Sequence, residues 1–277
     1  NLLSQLDEQI KKINNFKFKI IVINDGCSDG TAEMINEQFP KINQIFSVGD
    51  IWYTGCINLG LKFSKKLNPD YILTLNDDIN LKSNYLESIL GSALKFNIPI
   101  IMGSTSLTNS KPNLITFSGV KEVVWWRYKE IKYHKYLQFP NFKELKGEMP
   151  SVVLPGRGML IDIRIINKIG FFNSSLVQYG SDDEFCLRAS KFGYGVYISW
   201  NSIIYSYQNL TGTGTPQLKE RLSVYLKSFF NKYSRNYYKK YFYICWNYGN
   251  KLLFPFTIII IYFGEIKSYF LNKFIYK

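Results

Sequence analysis

Two pairs of neighbouring carboxylates are where this chain could do chemistry. Asp77 and Asp78 lie near the end of the stretch "YILTLNDDI", and Asp182 and Asp183, followed by Glu184, lie at the start of "SDDEFCLRASKFG". Adjacent carboxylates after an apolar run suit a hard divalent cation, because Mg2+ and Mn2+ prefer oxygen ligands and share them with substrate phosphates. The same side chains also serve simply to hydrogen-bond the backbone of a turn. For the second group, one reading is a capped helix start, where the dipole stabilises negative charge. The other is a general base held at a sheet edge. A third feature, "PGRGMLI", sets Gly156 and Gly158 around Arg157, so backbone can approach a ligand closely while the guanidinium meets a phosphate or carboxylate. A tight turn with a solvated arginine has the same sequence.

The pattern on either side of these residues supplies a scaffold. "FKIIVIN" is an Ile and Val run stopped by Asp25-Gly26, and "SDGTAEMINEQF" reads as a helix starting near Asp29. A weaker strand near 44–48 leads through glycines to a helix over about 57–67. The apolar run before Asn76 leads to a helix over about 84–96, and "IPIIMGS" is another strand. This alternation predicts an α/β fold, with a mostly parallel central sheet flanked by helices. Ligands bind beyond the carboxyl ends of the strands in such sheets, which is where Asp77 and Asp78 fall. Residues 105–149 are aromatic and less periodic and read as antiparallel strands and loops. From Val152 the order is strand, glycine loop, strand, short helix, acidic helix start, then closing strands in "YGVYISWNSIIYSY".

A length of 277 residues with 46% hydrophobic content specifies a globular chain rather than a disordered one. The net charge of +13 admits nucleic acid, anionic membranes and phosphorylated small molecules as partners. Basic and aromatic residues thicken after Lys219, interleaved with bulky apolar ones and followed by "LLFPFTIIIIYF". That placement argues for no nucleic acid. It suits either a peripheral anchor in a membrane interface or a helical subdomain packed on the core. The apolar run contains Pro255 and is shorter than the roughly 20 residues of a spanning helix. Residues 1–210 are therefore expected to form the main domain and 211–277 a basic, aromatic helical extension. Cys27, Cys56, Cys186 and Cys245 are scattered, without a C-x-x-C pair or a signal peptide. The expected setting is the cytoplasm, with peripheral contact at the inner face of the plasma membrane.

Five blocks in order, "IIVINDGCSDGT", "GDIWYTGCINLGLKF", "DYILTLNDDI", "PGRGMLI" and "YGSDDEFCLRASKFGYGVYI", resemble the family 2 glycosyltransferases with the GT-A fold. The later blocks are similar to the branch that builds bacterial surface polysaccharides. The resemblance implies a nucleotide-diphosphate sugar donor, a divalent cation (Mn2+ or Mg2+), a glycan or lipid-linked acceptor hydroxyl, and transfer with inversion. Position by position, it implies Asp78 on the cation and Asp77 near the ribose or cation. It also implies Asn24 and Asp25 at the nucleoside base, with Asp25 making the contact, and Gly55, Asn58 and Gly60 beside the nucleotide. Asp182 would take the acceptor proton, with Asp183 as a rival because Ser181 stands where the family has an acidic residue.

Departures from the family pattern are specific. Asn24 replaces the commoner Asp, and no histidine follows the closing strand in "IIYSYQ". The sole histidine, His134, is expected to be a surface or packed imidazole. Relatives place a strand and turn before the helix that opens here at Asn1, so a sheet without that N-terminal strand is expected, with truncation as the favoured reason. Two other classes stay open. A nucleotidyltransferase would show an early glycine-rich loop with a lysine, and a noncatalytic nucleotide- or glycan-binding relative would keep the fold without turnover.

Overall fold

The computed structural model describes residues 2–207 and 221–275. The first half runs α1 (Leu2–Ile10), β1 (Ile21–Asn24), α2 (Thr31–Gln38), β2 (Asn43–Phe46), α3 (Trp52–Lys65), β3 (Tyr71–Thr74), β4 (Ile79–Leu81), α4 (Tyr85–Ala93) and β5 (Ile100–Thr108). The middle holds β6 (Ile115–Phe117), β7 (Val120–Val124), a 3-10 turn at Trp125–Arg127, β8 (Lys129–Lys132) and β9 (Glu148–Pro150). Then come β10 (Met159–Asp162), α5 (Ile163–Ile169), α6 (Ser181–Lys191) and β11 (Gly195–Ser206), followed by α7 (Leu222–Ser228), α8 (Tyr238–Tyr248) and α9 (Phe254–Ile275). The expected domain division at 210/211 falls outside the described residues.

The α/β architecture is as expected, but the sheet is mixed rather than mostly parallel. Its order is β3-β10-β5-β11-β4, with β6 added to β5 and β9 to β11. β11 runs parallel to β5, whereas β10 is antiparallel to both β3 and β5. The insertion of β10 between them matters for function. Met159, its first residue, pairs with Thr74, the last of β3, so the loop that feeds β10 is delivered to the carboxyl end of β3. β1 and β2 pair with each other as a separate parallel ribbon.

Alternation along the strands separates two cores, as a pleat requires. Ile101 and Ile161 face α5 and α6 with Ile166, Phe185 and Ile198. Met102 and Leu160 face the other way, onto Leu6 of α1 and Leu86 and Ile89 of α4. Three further boundaries differ from the pattern reading. α3 starts at Trp52, so Gly55 lies inside the helix instead of before it. Its first turn is fixed by Thr54 N–H donating to the Val177 carbonyl (3.0 Å) and Tyr53 N–H to Gln178 Oε1 (3.1 Å), and Gly60 faces Ile23 of β1. Residues 152–154 are coil rather than strand, with Val153 and Leu154 buried and Val152 N–H donating to the Val120 carbonyl at 2.9 Å. Finally, Pro255 does not interrupt the C-terminal apolar run. It sits in the first turn of the 22-residue α9, where a missing N–H removes no helical bond.

Candidate active site

The Pro155–Gly158 loop is stitched to the end of β3. Gly158 N–H donates to the Thr74 carbonyl at 2.8 Å, and the Thr74 hydroxyl donates to the Gly156 carbonyl. Gly158 holds φ +79°, and a Cβ there would meet Ser104 Oγ at 2.7 Å and Tyr85 Oη at 3.0 Å. Gly156 is more confined still. Its N–H donates to Asp182 Oδ2 at 2.9 Å, and a Cβ on it would fall 1.4 Å from Tyr53 Oη. One glycine thus touches the acidic start of α6 on one side and the buried hydroxyl of Tyr53 of α3 on the other.

Arg157, held between these glycines, is attracted by both Asp78 and Asp182. Burial lowers its pKa and the two carboxylates oppose that, yet neither forms an ion pair with it among the described residues. Burial likewise raises the pKa of Asp78, against the pull of Arg157 and with a push from Asp77, which is itself exposed. Asp78 Oδ1, Arg157 Nε and Tyr53 Oη are buried polar atoms without a partner. Native interiors pair such atoms, so three unpaired about the Gly156–Gly158 loop mark a place where a ligand's polar groups could find partners.

On α6, Ser181 is fully buried and accepts a hydrogen bond from the Thr54 hydroxyl at 2.7 Å. That contact locks α3 to α6 at a position where a carboxylate would be buried. Asp182 comes next, partly exposed. Burial pushes its pKa up, while the Gly156 amide and the helix-start amides pull it down. Asp183 points to different company. Burial drives it well above the ordinary carboxylate value, helped by Asp182 and Glu130 and opposed by Lys240 and Lys132. Glu184 is buried and structural, bound by Arg188 Nε (3.0 Å) and the Tyr248 hydroxyl (2.8 Å).

Asn24 and Asp25, at the end of β1, organise the chain around themselves. Asn24 is buried, its Oδ1 accepts from Cys27 N–H at 2.8 Å, and its Nδ2 has no partner. Asp25 accepts from the Ser47 hydroxyl and from the amides of Gly49 (3.2 Å), Ile51 (3.3 Å) and Trp52 (3.1 Å). Burial alone would raise its pKa, but these bonds outweigh it and hold the carboxyl below its ordinary value. Asp25 therefore shapes the turn that presents Trp52 and Tyr53. Asn58 exchanges hydrogen bonds with the Phe172 backbone, 2.9 Å each way, and Gly55 packs on Ile51, so both sit in the scaffold. His134 is a packed imidazole, 3.0 Å from Ser118 Oγ and edge-on to Trp200.

The structure thus gathers Asp78, Gly156, Arg157, Gly158 and Asp182, with Asp77 and Asp183 at the margins. Residue type alone does not single out Tyr53, although it lies in the block "GDIWYTGCINLGLKF". Among the described residues no cluster of three or more His, Cys, Asp or Glu side chains is placed to hold a metal. The donors Asp77 and Asp78 fit a hard cation only if a substrate supplies further oxygens, which is how Mg2+ and Mn2+ are commonly held.

Comparison with known proteins extends this picture. The sequence model described as Glycosyl transferase family 2 matches residues 1–162. No match is found among curated proteins. Among solved structures, GalNAc-T7 crystallised with UDP, GalNAc and Mn2+ is similar at TM-score 0.53 and 13% identity, over 87% of this chain and 48% of its own. TarS 1–349 of S. aureus, crystallised with UDP, is similar at TM-score 0.47 and 14% identity, over 78% of this chain and 56% of its own. The chain spans about half the length of these structures, at 48% and 56%. The likeness to GalNAc-T7 is one of fold, the GT-A arrangement.

Proposed function

The chain belongs to glycosyl transferase family 2, and from that premise we propose that it transfers a sugar, with inversion, from a nucleoside diphosphate to a glycan or lipid-linked hydroxyl. The observation that carries this reading is the set of unpartnered buried atoms about the Gly156–Gly158 loop at the end of β3, Asp78 Oδ1, Arg157 Nε and Tyr53 Oη, with the carboxylate of Asp182 bound to the same loop. Arg157 meets the charge that grows on the departing diphosphate, a contact that strengthens toward the transition state. Asp78, with Asp77, would hold a divalent cation, Mn2+ or Mg2+. When bound, that ion neutralises phosphate charge. The Mn2+ and UDP of GalNAc-T7 support testing that pair first.

Asp182 takes the proton of the attacking hydroxyl. It is preferred over Asp183 because its Oδ2 lies on the Gly156–Arg157 loop, whereas Asp183 faces Glu130 and Lys132. A carboxyl raised by burial is a better base near neutral pH than an ordinary one. The resemblance of the sequence blocks to surface-polysaccharide enzymes supports a role in bacterial polysaccharide synthesis. The apolar outer face of α9 supports work at the inner face of the plasma membrane, on a lipid-linked acceptor.

A turnover panel with UDP, dTDP, GDP and CMP sugars tests the reading. One donor class is consumed, and Asp182→Asn lowers kcat by about 10²–10⁴ with an unchanged circular dichroism spectrum. An Asp182→Asn enzyme with full activity, alongside an inactive Asp183→Asn enzyme, moves the base to Asp183. A chain that binds nucleotide but consumes no donor is a noncatalytic relative instead.

A further inference from the structure

The C-terminal helices lie beyond the family match, yet α8 packs against the start of α6, where the acidic pair lies. Lys240, in the first turn of α8, lays its stem across Gly180, the residue before α6. Gly180 holds φ +86°, and a Cβ on it would fall 2.6 Å from Lys240 Cγ. The ammonium donates to the Arg235 carbonyl at 2.7 Å and stands 4.2 Å from the centroid of the Tyr241 ring. Its position is therefore fixed from two sides.

Charge pairing around the site is uneven. Among the described residues, Glu184 has Arg188, Asp162 has Arg164 and Glu148 has Lys95, while Asp182 and Asp183 form no ion pair. The groups facing the pair come from every neighbouring element. Arg157 and Tyr53 face Asp182, and Glu130, Lys132 and Tyr128 face Asp183. Cys186 lies one turn along α6, and Lys240 comes from α8 with Arg235 and Glu265 near it. Arg157 attracts Asp182 and Lys132 attracts Asp183, whereas Lys240 attracts both. Two adjacent carboxylates in a confined space resist holding two charges, so a fixed cation decides how readily the pair ionises.

We propose that Lys240 is a positioning residue of the catalytic centre, fixed by Gly180 and the Arg235 carbonyl so that its charge eases the loss of a proton from the Asp182–Asp183 pair, freeing Asp182 to act as the base. The C-terminal extension thereby completes a site whose donor half lies within residues 1–162. The inference rests on Asp182 as the base, and its test separates the two. In the full chain, Lys240→Met keeps the stem over Gly180 and removes the charge, and Lys240→Arg keeps the charge. The acidic limb of the kcat/KM pH profile moves up by about one unit in Lys240→Met and returns in Lys240→Arg. Below that limb kcat/KM falls about tenfold, and at alkaline pH the curves converge.

Carbon-13 titration of the aspartate carboxyls, assigned with Asp182→Asn and Asp183→Asn, shows the same upward shift without requiring turnover. Unchanged carboxyl midpoints in Lys240→Met, or activity lowered equally at every pH, overturn the proposal. A fully active Asp182→Asn enzyme removes the base assignment, and the carbon-13 titration still measures the coupling.

Discussion

Asp183 sits beside Asp182 and within reach of Glu130, and burial pushes its carboxyl well above the ordinary value. The folded chain then binds a proton that the unfolded chain has released, so stability falls as pH rises from the ordinary carboxylate value through the raised one. Asp183→Asn removes that cost. It raises Tm by on the order of 2–4 °C at pH 8, and the gain vanishes below about pH 4, as calorimetric scans at both pH values will show. Residue types make Asp78, Arg157 and Asp182 legible in the sequence itself, because adjacent carboxylates and a glycine-flanked arginine have few uses together. The same logic cannot reveal that Asn58 pairs with the backbone of Phe172, more than a hundred positions away. Nor can it reveal Tyr53, whose role depends on the missing side chain of Gly156 rather than on its own type.

At the scale of elements, the site exists because β10 runs back between β3 and β5 and brings Gly156, Arg157 and Gly158 to the end of β3. Strand positions are visible from apolar runs, but strand direction is not, since both senses use the same buried residues. The start of α3 is also hidden, because tertiary bonds from Tyr53 and Thr54 override the helix-weakening glycines. Close approach gives a contrast that can be measured. Gly156→Ala forces Tyr53 aside and costs about 1–3 kcal/mol, with a fall in Tm and loss of transfer activity. Gly91→Ala on α4 meets open space and stabilises by about 0.5–1 kcal/mol in the same denaturation assay. Equal effects would show that the Gly156–Tyr53 contact does not constrain the loop.

For the whole molecule, α9 is packed on one side and bare on the other. Thr257 and Ile261 are buried, with the Thr257 hydroxyl donating to the Trp126 carbonyl at 3.0 Å, while Phe256, Ile259 and Phe263 are 64%, 64% and 70% exposed. At 22 residues α9 is long enough to cross a bilayer, and Phe254–Leu271 has a mean hydropathy of 1.3. Its packed side instead suits a helix lying in the interface, with the bare stripe entering the headgroup region. Phe256→Ser/Ile259→Ser/Phe263→Ser lowers partitioning onto anionic vesicles at least about tenfold, since each such side chain contributes roughly 1.5–3 kcal/mol when buried. Unchanged partitioning in a flotation assay would rule out this face. The composition announces a basic, aromatic tail, but only the packed structure shows that its α8 lays Lys240 across Gly180, two residues before Asp182. The central claim is that the carboxylates after β3 hold a cation that binds the donor diphosphate. Calorimetric titration of UDP with and without Mn2+, on the chain and on Asp78→Asn, tests it most directly. Binding that requires Mn2+ and disappears in Asp78→Asn is the predicted result, and binding that is equal with and without the metal, and intact in the variant, would contradict it.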